Sequence, residues 1–188
     1  MKLIFATHNA NKLKEVKEMM PEQYELVSLT DLGYHDDIEE TSDTIEGNAQ
    51  IKAETIAKHF GMPCFADDTG LEVDALNGEP GVRSARYASE EKSDEANRQK
   101  LLKELNSKNN RKAHFKTVIC FVNNGEITNF TGICKGEILE QERGEGGFGY
   151  DALFRPDNYE KSFAEMSSEL KNTISHRALA FQKFIKSL

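Results

Sequence analysis

The chain has 188 residues, 38% hydrophobic and 30% charged, which suits one well-solvated globular core and, with a mean hydropathy of −0.62, argues against a membrane protein. A net charge of −8 argues against a grip on a nucleic-acid polymer, which needs a basic stripe, but leaves room for a small anion in a local basic pocket. Cys64, Cys120 and Cys134 lack the close pairing of zinc sites and read as buried thiols in a reducing cytoplasm.

Lys2 to Ala6 reads as a strand whose apolar run is too short for a signal peptide or a membrane span. Thr7-His8-Asn9-Ala10-Asn11-Lys12 then turns it into a helix with Leu13, Val16 and Met20 on one face before Pro21, and Asn9 suits its cap. Tyr24 to Leu29 is a second strand, followed by an acidic stretch that includes Glu39 and Glu40. Ile45, Ala49, Ala53, Ile56, Ala57 and Phe60 recur at helical spacing until Gly61 and Pro63, which predicts an amphipathic helix. Lys52 on it reads as a solvated position, although a lysine there could touch phosphate.

Cys64 to Ala66 is a third strand, expected to give way to a glycine turn at Asp67-Asp68-Thr69-Gly70 before Leu71 to Val73 extends again. Paired carboxylates at a strand end could be half of a Mg²⁺ site, since that ion takes one or two carboxylates plus waters and phosphates. The same four residues also make an ordinary turn, and alone they favour that reading. Ser93 or Asp94 caps a helix with Leu101, Leu102 and Leu105 inward. Phe115 to Val122 and Ile127 to Ile133, joined through Asn123-Asn124-Gly125-Glu126, predict an antiparallel hairpin and hence a mixed sheet. A glycine-rich loop, Gly144 to Asp151, precedes a short strand from Ala152 to Phe154; it has neither Rossmann nor P-loop spacing. Ser162 with Glu165 suggests a capping box, and Ser175 to Leu188 a final helix. No linker or repeat divides the chain, so residues 1–188 are expected to form a single domain.

In order, Thr7-x-Asn9-x-x-Lys12, Glu39-Glu40-Thr41, Asn48-Ala49-x-x-Lys52-Ala53, Ala66-Asp67-Asp68-Thr69-Gly70-Leu71, Ser84-Ala85-Arg86-Tyr87, Gly146-Gly147-Phe148-Gly149-Tyr150-Asp151, Lys171 and Ser175-His176-Arg177 make a pattern. It closely resembles the inosine/xanthosine triphosphate pyrophosphatase family over essentially the whole chain. The resemblance implies a mixed α/β fold with a long twisted central sheet and flanking helices, two lobes and a nucleotide cleft between them, in a cytoplasmic homodimer. It also implies Mg²⁺-dependent hydrolysis of ITP, dITP and XTP to the monophosphate and pyrophosphate.

By the same resemblance Thr7, His8, Asn9, Ala10, Asn11 and Lys12 hold the triphosphate, where a helix start presents N–H groups and Lys12 adds a point charge. Glu40 and Asp68 are the implied metal ligands, Asp68 also activates the attacking water, and Asp67 supports them. Thr69 keeps the hydroxyl of the serine that the family commonly has there. Lys171, like Lys12, is expected at the triphosphate as a point charge; His176 and Arg177 are expected at the purine edge. Phe148 offers a ring for the base within the segment Phe148-Gly149-Tyr150-Asp151. Arg83 has no assigned role. The competing classes are a nucleotide-binding or sensing protein without turnover, which has no need of Asp68, and an RNA-binding module, which the acidic balance disfavours.

Overall fold

The computed structural model describes residues 1–188. Strands β1 (Lys2–Phe5), β2 (Glu25–Ser28), β3 (Cys64–Val73), β4 (Pro80–Gly81), β5 (Lys112–Asn123), β6 (Glu126–Ile138) and β7 (Phe154–Pro156) form one sheet. The helices are α1 (Ala10–Met19), α2 (Ile45–Phe60), α3 (Asp94–Glu104), α4 (Ser168–Ile174) and α5 (His176–Ile185). Hydrogen bonding runs β2-β1-β3-β5-β6-β7, with β4 paired to β3. Because β1 is parallel to β2 and β3 while β4 and β7 are antiparallel to their neighbours, the fold is mixed α/β, as the sequence predicts. No helix is long and apolar enough to cross a membrane.

The chain divides into two compact units, the first made of Met1–Asp68, Thr117–Gly132 and Arg177–Leu188 and the second of Thr69–Lys116 and Ile133–His176. In the first unit β1 alternates between two apolar layers. Ile4 and Ala6 meet Ile45, Ala49, Ala53 and Ile56 of α2, whereas Leu3 and Phe5 share a layer with Val16 of α1 and with Ala180, Phe181 and Phe184 of α5. A parallel strand covered on both faces explains the unbroken apolar run of Leu3 to Ala6. Across the β1–β3 register Phe5 stacks on Phe65 at 4.7 Å.

Local signals fix the ends of these elements. Asn9 caps α1 by accepting from the N–H groups of Asn11 and Lys12, and Thr44 caps α2, which Gly61 ends at φ 63°. Asn124 and Gly125, at φ 51° and 83°, make the two-residue turn between β5 and β6. Positive φ at both positions is what a type I′ hairpin requires. In the second unit Leu71, Leu101, Leu105, Phe115, Phe154 and Phe163 share one core, and the Ser162–Glu165 capping box is present.

Two expectations need correction, and one helix is added. The turn predicted at Asp67 to Gly70 is absent, because β3 continues through it as one ten-residue strand in which both aspartates are buried. A turn would let those carboxylates accept from their own backbone; here side-chain cations from other elements compensate them, so the backbone stays extended. The final helix predicted from Ser175 is present as α5, and a short helix that the sequence reading lacked, α4, precedes it: capped by Ser167, it ends at Ser175, whose extended backbone at ψ 156° separates the two. The strand placed at Ala152 begins instead at Phe154.

Candidate active site

In the first unit, β1 delivers the segment Thr7 to Asn11 to the start of α1. Thr7 Oγ1 accepts from the Asn9 N–H at 3.1 Å, and Asn9 Oδ1 accepts from Asn11 and Lys12 at 2.9 and 3.1 Å. His8, Asn9, Ala10 and Asn11 are exposed, so a helix start with an ordered cap faces solvent.

Behind it runs a chain of charges. Lys12 Nζ lies 3.1 Å from Asp67 Oδ1, Arg177 Nε donates to Asp67 Oδ2 at 3.0 Å, and Arg177 Nη1 donates to Glu15 Oε2 at 2.5 Å. Asp67 and Arg177 are each only 2% exposed. Burial pushes the Asp67 carboxyl upward, but Lys12, Arg177 and Lys52 outweigh it and hold the group well below the usual carboxylate range. For Lys12 the balance is reversed: burial outweighs Asp67 and lowers the ammonium. Arg177, raised by Asp67 and Glu15 against its burial, stays charged. The guanidinium expected at the purine edge thus bridges two carboxylates.

One residue along, Asp68 faces a different cation. Lys52 Nζ donates to Asp68 Oδ1 at 3.0 Å and to Glu40 Oε1 at 2.5 Å. The solvated position read for Lys52 is therefore wrong, since its side chain is 11% exposed and bridges two acids. Its position on α2 gave no sign of its partners, which come from the acidic segment and from β3. Burial raises the Asp68 carboxyl, partly offset by Lys52 and Lys12, whereas Asp68 and Glu40 raise Lys52 against its own burial. Two carboxylates converging on one positive point are a donor set that fits a hard divalent cation. No group of three or more His, Cys, Asp or Glu residues is arranged to hold a metal on its own.

The second unit carries the glycine-rich loop. Gly147 adopts φ 73°, and a Cβ there would lie 2.2 Å from Asp151 Oδ2. That oxygen accepts from the Phe148 N–H at 2.9 Å and from Lys171 Nζ at 2.6 Å. Lys171, which composition alone would place on the surface, is buried with its ammonium 5.1 Å from the Phe148 ring centroid. Gly149 donates its N–H to Asp94 Oδ2 at 2.7 Å and accepts from Arg98 Nη1 at 2.9 Å. Tyr150, buried, donates its hydroxyl to the Ser84 carbonyl at 2.9 Å. His176 stacks on Phe115 at 4.4 Å, and Thr69 is half-buried on β3. Exposed Arg83 pairs with Glu90.

Sequence reasoning missed Glu15, Asp94 and Arg98 as parts of these constellations. Asp94 carried a signal as a helix-start acid, but Glu15 and Arg98 look like ordinary charges on polar helix faces.

Comparison with known proteins bears on this arrangement. The chain is 55% identical over 188 residues to a protein of Christiangramia forsetii named dITP/XTP pyrophosphatase, covering 100% of this chain and 99% of the relative. A Bacillus subtilis protein of the same name is 47% identical over 189 residues, covering 98% of this chain and 96% of the relative. Among solved structures, the Staphylococcus aureus Ham1 protein is 42% identical with a TM-score of 0.89, covering 100% of this chain and 99% of that one. A Coxiella burnetii HAM1 protein is 36% identical with a TM-score of 0.91, covering 100% and 98%. Since the Ham1 family model matches residues 3–187, nearly the full length of the fold just described, the chain belongs to the Ham1 family.

Proposed function

We propose that the protein is a Mg²⁺-dependent pyrophosphatase that hydrolyses ITP, dITP and XTP to the nucleoside monophosphate and pyrophosphate. The observation that carries the reading is full-length similarity to relatives named dITP/XTP pyrophosphatase, joined to paired acids, Glu40 and Asp68, that converge on one cation. Thr7 to Lys12 take the β- and γ-phosphates, with the start of α1 supplying N–H groups and Lys12 a charge. Glu40 and Asp68 would hold Mg²⁺, which would supply neutralisation of phosphate charge and easier deprotonation of water.

Asp68 orients the attacking water and accepts its proton. The water oxygen bonds to the α-phosphorus as the bond from that phosphorus to the bridging oxygen breaks, and pyrophosphate leaves still held by the Lys12 region. Asp67 fixes Lys12 and is fixed in turn by Arg177. Lys52 keeps Glu40 and Asp68 from repelling each other. Positioning and electrostatics carry most of such a reaction.

Phe148 stacks on the base, with Thr69, Gly149, Tyr150, Asp151, Lys171 and His176 completing this part of the substrate site by family resemblance. Hypoxanthine and xanthine share a carbonyl at position 6 and an N1–H, whereas adenine has an amino group and a bare N1. A buried edge matched to the first pair leaves polar groups mismatched against adenine, worth discrimination on the order of 10⁴-fold. With Mg²⁺ and a panel of triphosphates, ITP, dITP and XTP are expected well above GTP, and ATP lowest, with pyrophosphate released intact. Diphosphate plus orthophosphate as products, or a kcat/KM for ATP within about tenfold of that for ITP, would overturn the assignment.

Buried thiols suit a cytoplasmic enzyme, and the family resemblance favours a homodimer. Sedimentation at micromolar concentration is expected to give twice the chain mass of 21.2 kDa. A single species at the chain mass would contradict the dimer.

A further inference from the structure

We propose that Asp94 and Arg98 of α3 are positioning residues for base recognition, acting through the peptide groups on either side of Gly149; the inference rests on the reading that Phe148 faces the base. Asp94 Oδ2 accepts from the Gly149 N–H at 2.7 Å, and Arg98 Nη1, one helical turn further on, donates to the Gly149 carbonyl at 2.9 Å. One helix face thus grips both backbone polar groups of a residue at φ 59°, in a part of backbone space that glycine enters at little cost.

Arg98 is itself held, with Nε 3.0 Å from Glu142 Oε1 and a side chain only 18% exposed. On the other side of Phe148, Asp151 Oδ2 takes the Phe148 N–H. The ring-bearing residue is therefore pinned before and after its Cα. A glycine-rich segment without such anchors would sample many conformations, and each would have to be frozen out when a base stacks. Both residues and the loop they grip belong to the second unit, whereas the acids, Lys12, Lys52 and the helix start assigned to the triphosphate belong to the first. Their loss should weaken base binding and spare the phosphate chemistry.

The test compares Asp94→Ala and Asp94→Asn with the wild type, using MgITP as substrate and magnesium tripolyphosphate as a base-free competitor. Asp94→Ala is expected to raise KM for ITP about tenfold or more with kcat and tripolyphosphate inhibition nearly unchanged. Asp94→Asn, which keeps an acceptor oxygen, should restore most of the affinity. Amide exchange of residues 144–151 in the ligand-free proteins should be faster in Asp94→Ala than in the other two. A KM within twofold of wild type, or a parallel loss of kcat and tripolyphosphate inhibition, would overturn the proposal. If the wild type does not turn over ITP, the functional reading fails by itself, and exchange alone decides: unchanged protection of the loop in Asp94→Ala then overturns the grip.

Discussion

Asp68→Asn is expected to fold normally and to lose most turnover of MgITP, by about 10²- to 10⁴-fold. The amide cannot accept a proton and is a poor ligand for a hard cation. The fold should survive because Lys52 keeps Glu40 as a partner and β3 is anchored through its apolar residues, Cys64 to Ala66. Saturating-substrate kinetics beside a thermal melt would check it. Near wild-type kcat would assign water activation to another group.

The neighbouring change should behave in the opposite way. Asp67→Asn is expected to destabilise the protein by about 3–5 kcal/mol at neutral pH, the usual cost of removing one partner from a buried ion pair. Lys12 can escape by giving up its proton, since burial already lowers its pKa. Arg177 cannot, and only Glu15 would remain of its two carboxylate partners in the first unit. The pH dependence follows from the depressed carboxyl of Asp67. Its contribution is fully present above the ordinary value of 3.8 and is lost as pH falls through the lower folded value. Chemical denaturation at pH 7 and pH 3 should therefore show the wild-type advantage shrinking on acidification. An equal gap at both would mean that the charge of Asp67 carries none of it.

What the sequence made legible was what short-range chemistry decides. Asn9 announces the start of α1, Gly61 the end of α2, Asn124-Gly125 the hairpin, and Ser162 with Glu165 the capping box. Each signal and its structural effect lie within a few residues. The charge clusters are different, since Asp67 meets Lys12 across 55 positions and Arg177 across 110, and Asp94 meets Gly149 across 55. No local rule says that an aspartate pair in a strand will find cations, so Asp67-Asp68 read as a turn. Lys52 looked solvated for the same reason. The motif pattern named the first unit's Asp67, Lys12 and Arg177 together, but not the duty each performs. Helix α4 escaped because seven residues are too few to show an apolar stripe, although Ser167 was a usable cap signal.

The three cysteines offer a way to watch each unit open. Cys64 and Cys120 lie in the first unit and Cys134 in the second, all buried and unpaired. Burial raises every one of these thiols, Cys120 and Cys134 to about 12, so the reactive thiolate is scarce in the native protein at neutral pH. Alkylation must then wait for local or global unfolding, which makes each thiol a clock for its own surroundings. Labelling followed by peptide mass spectrometry would give separate opening rates for β3, β5 and β6, without any engineered probe.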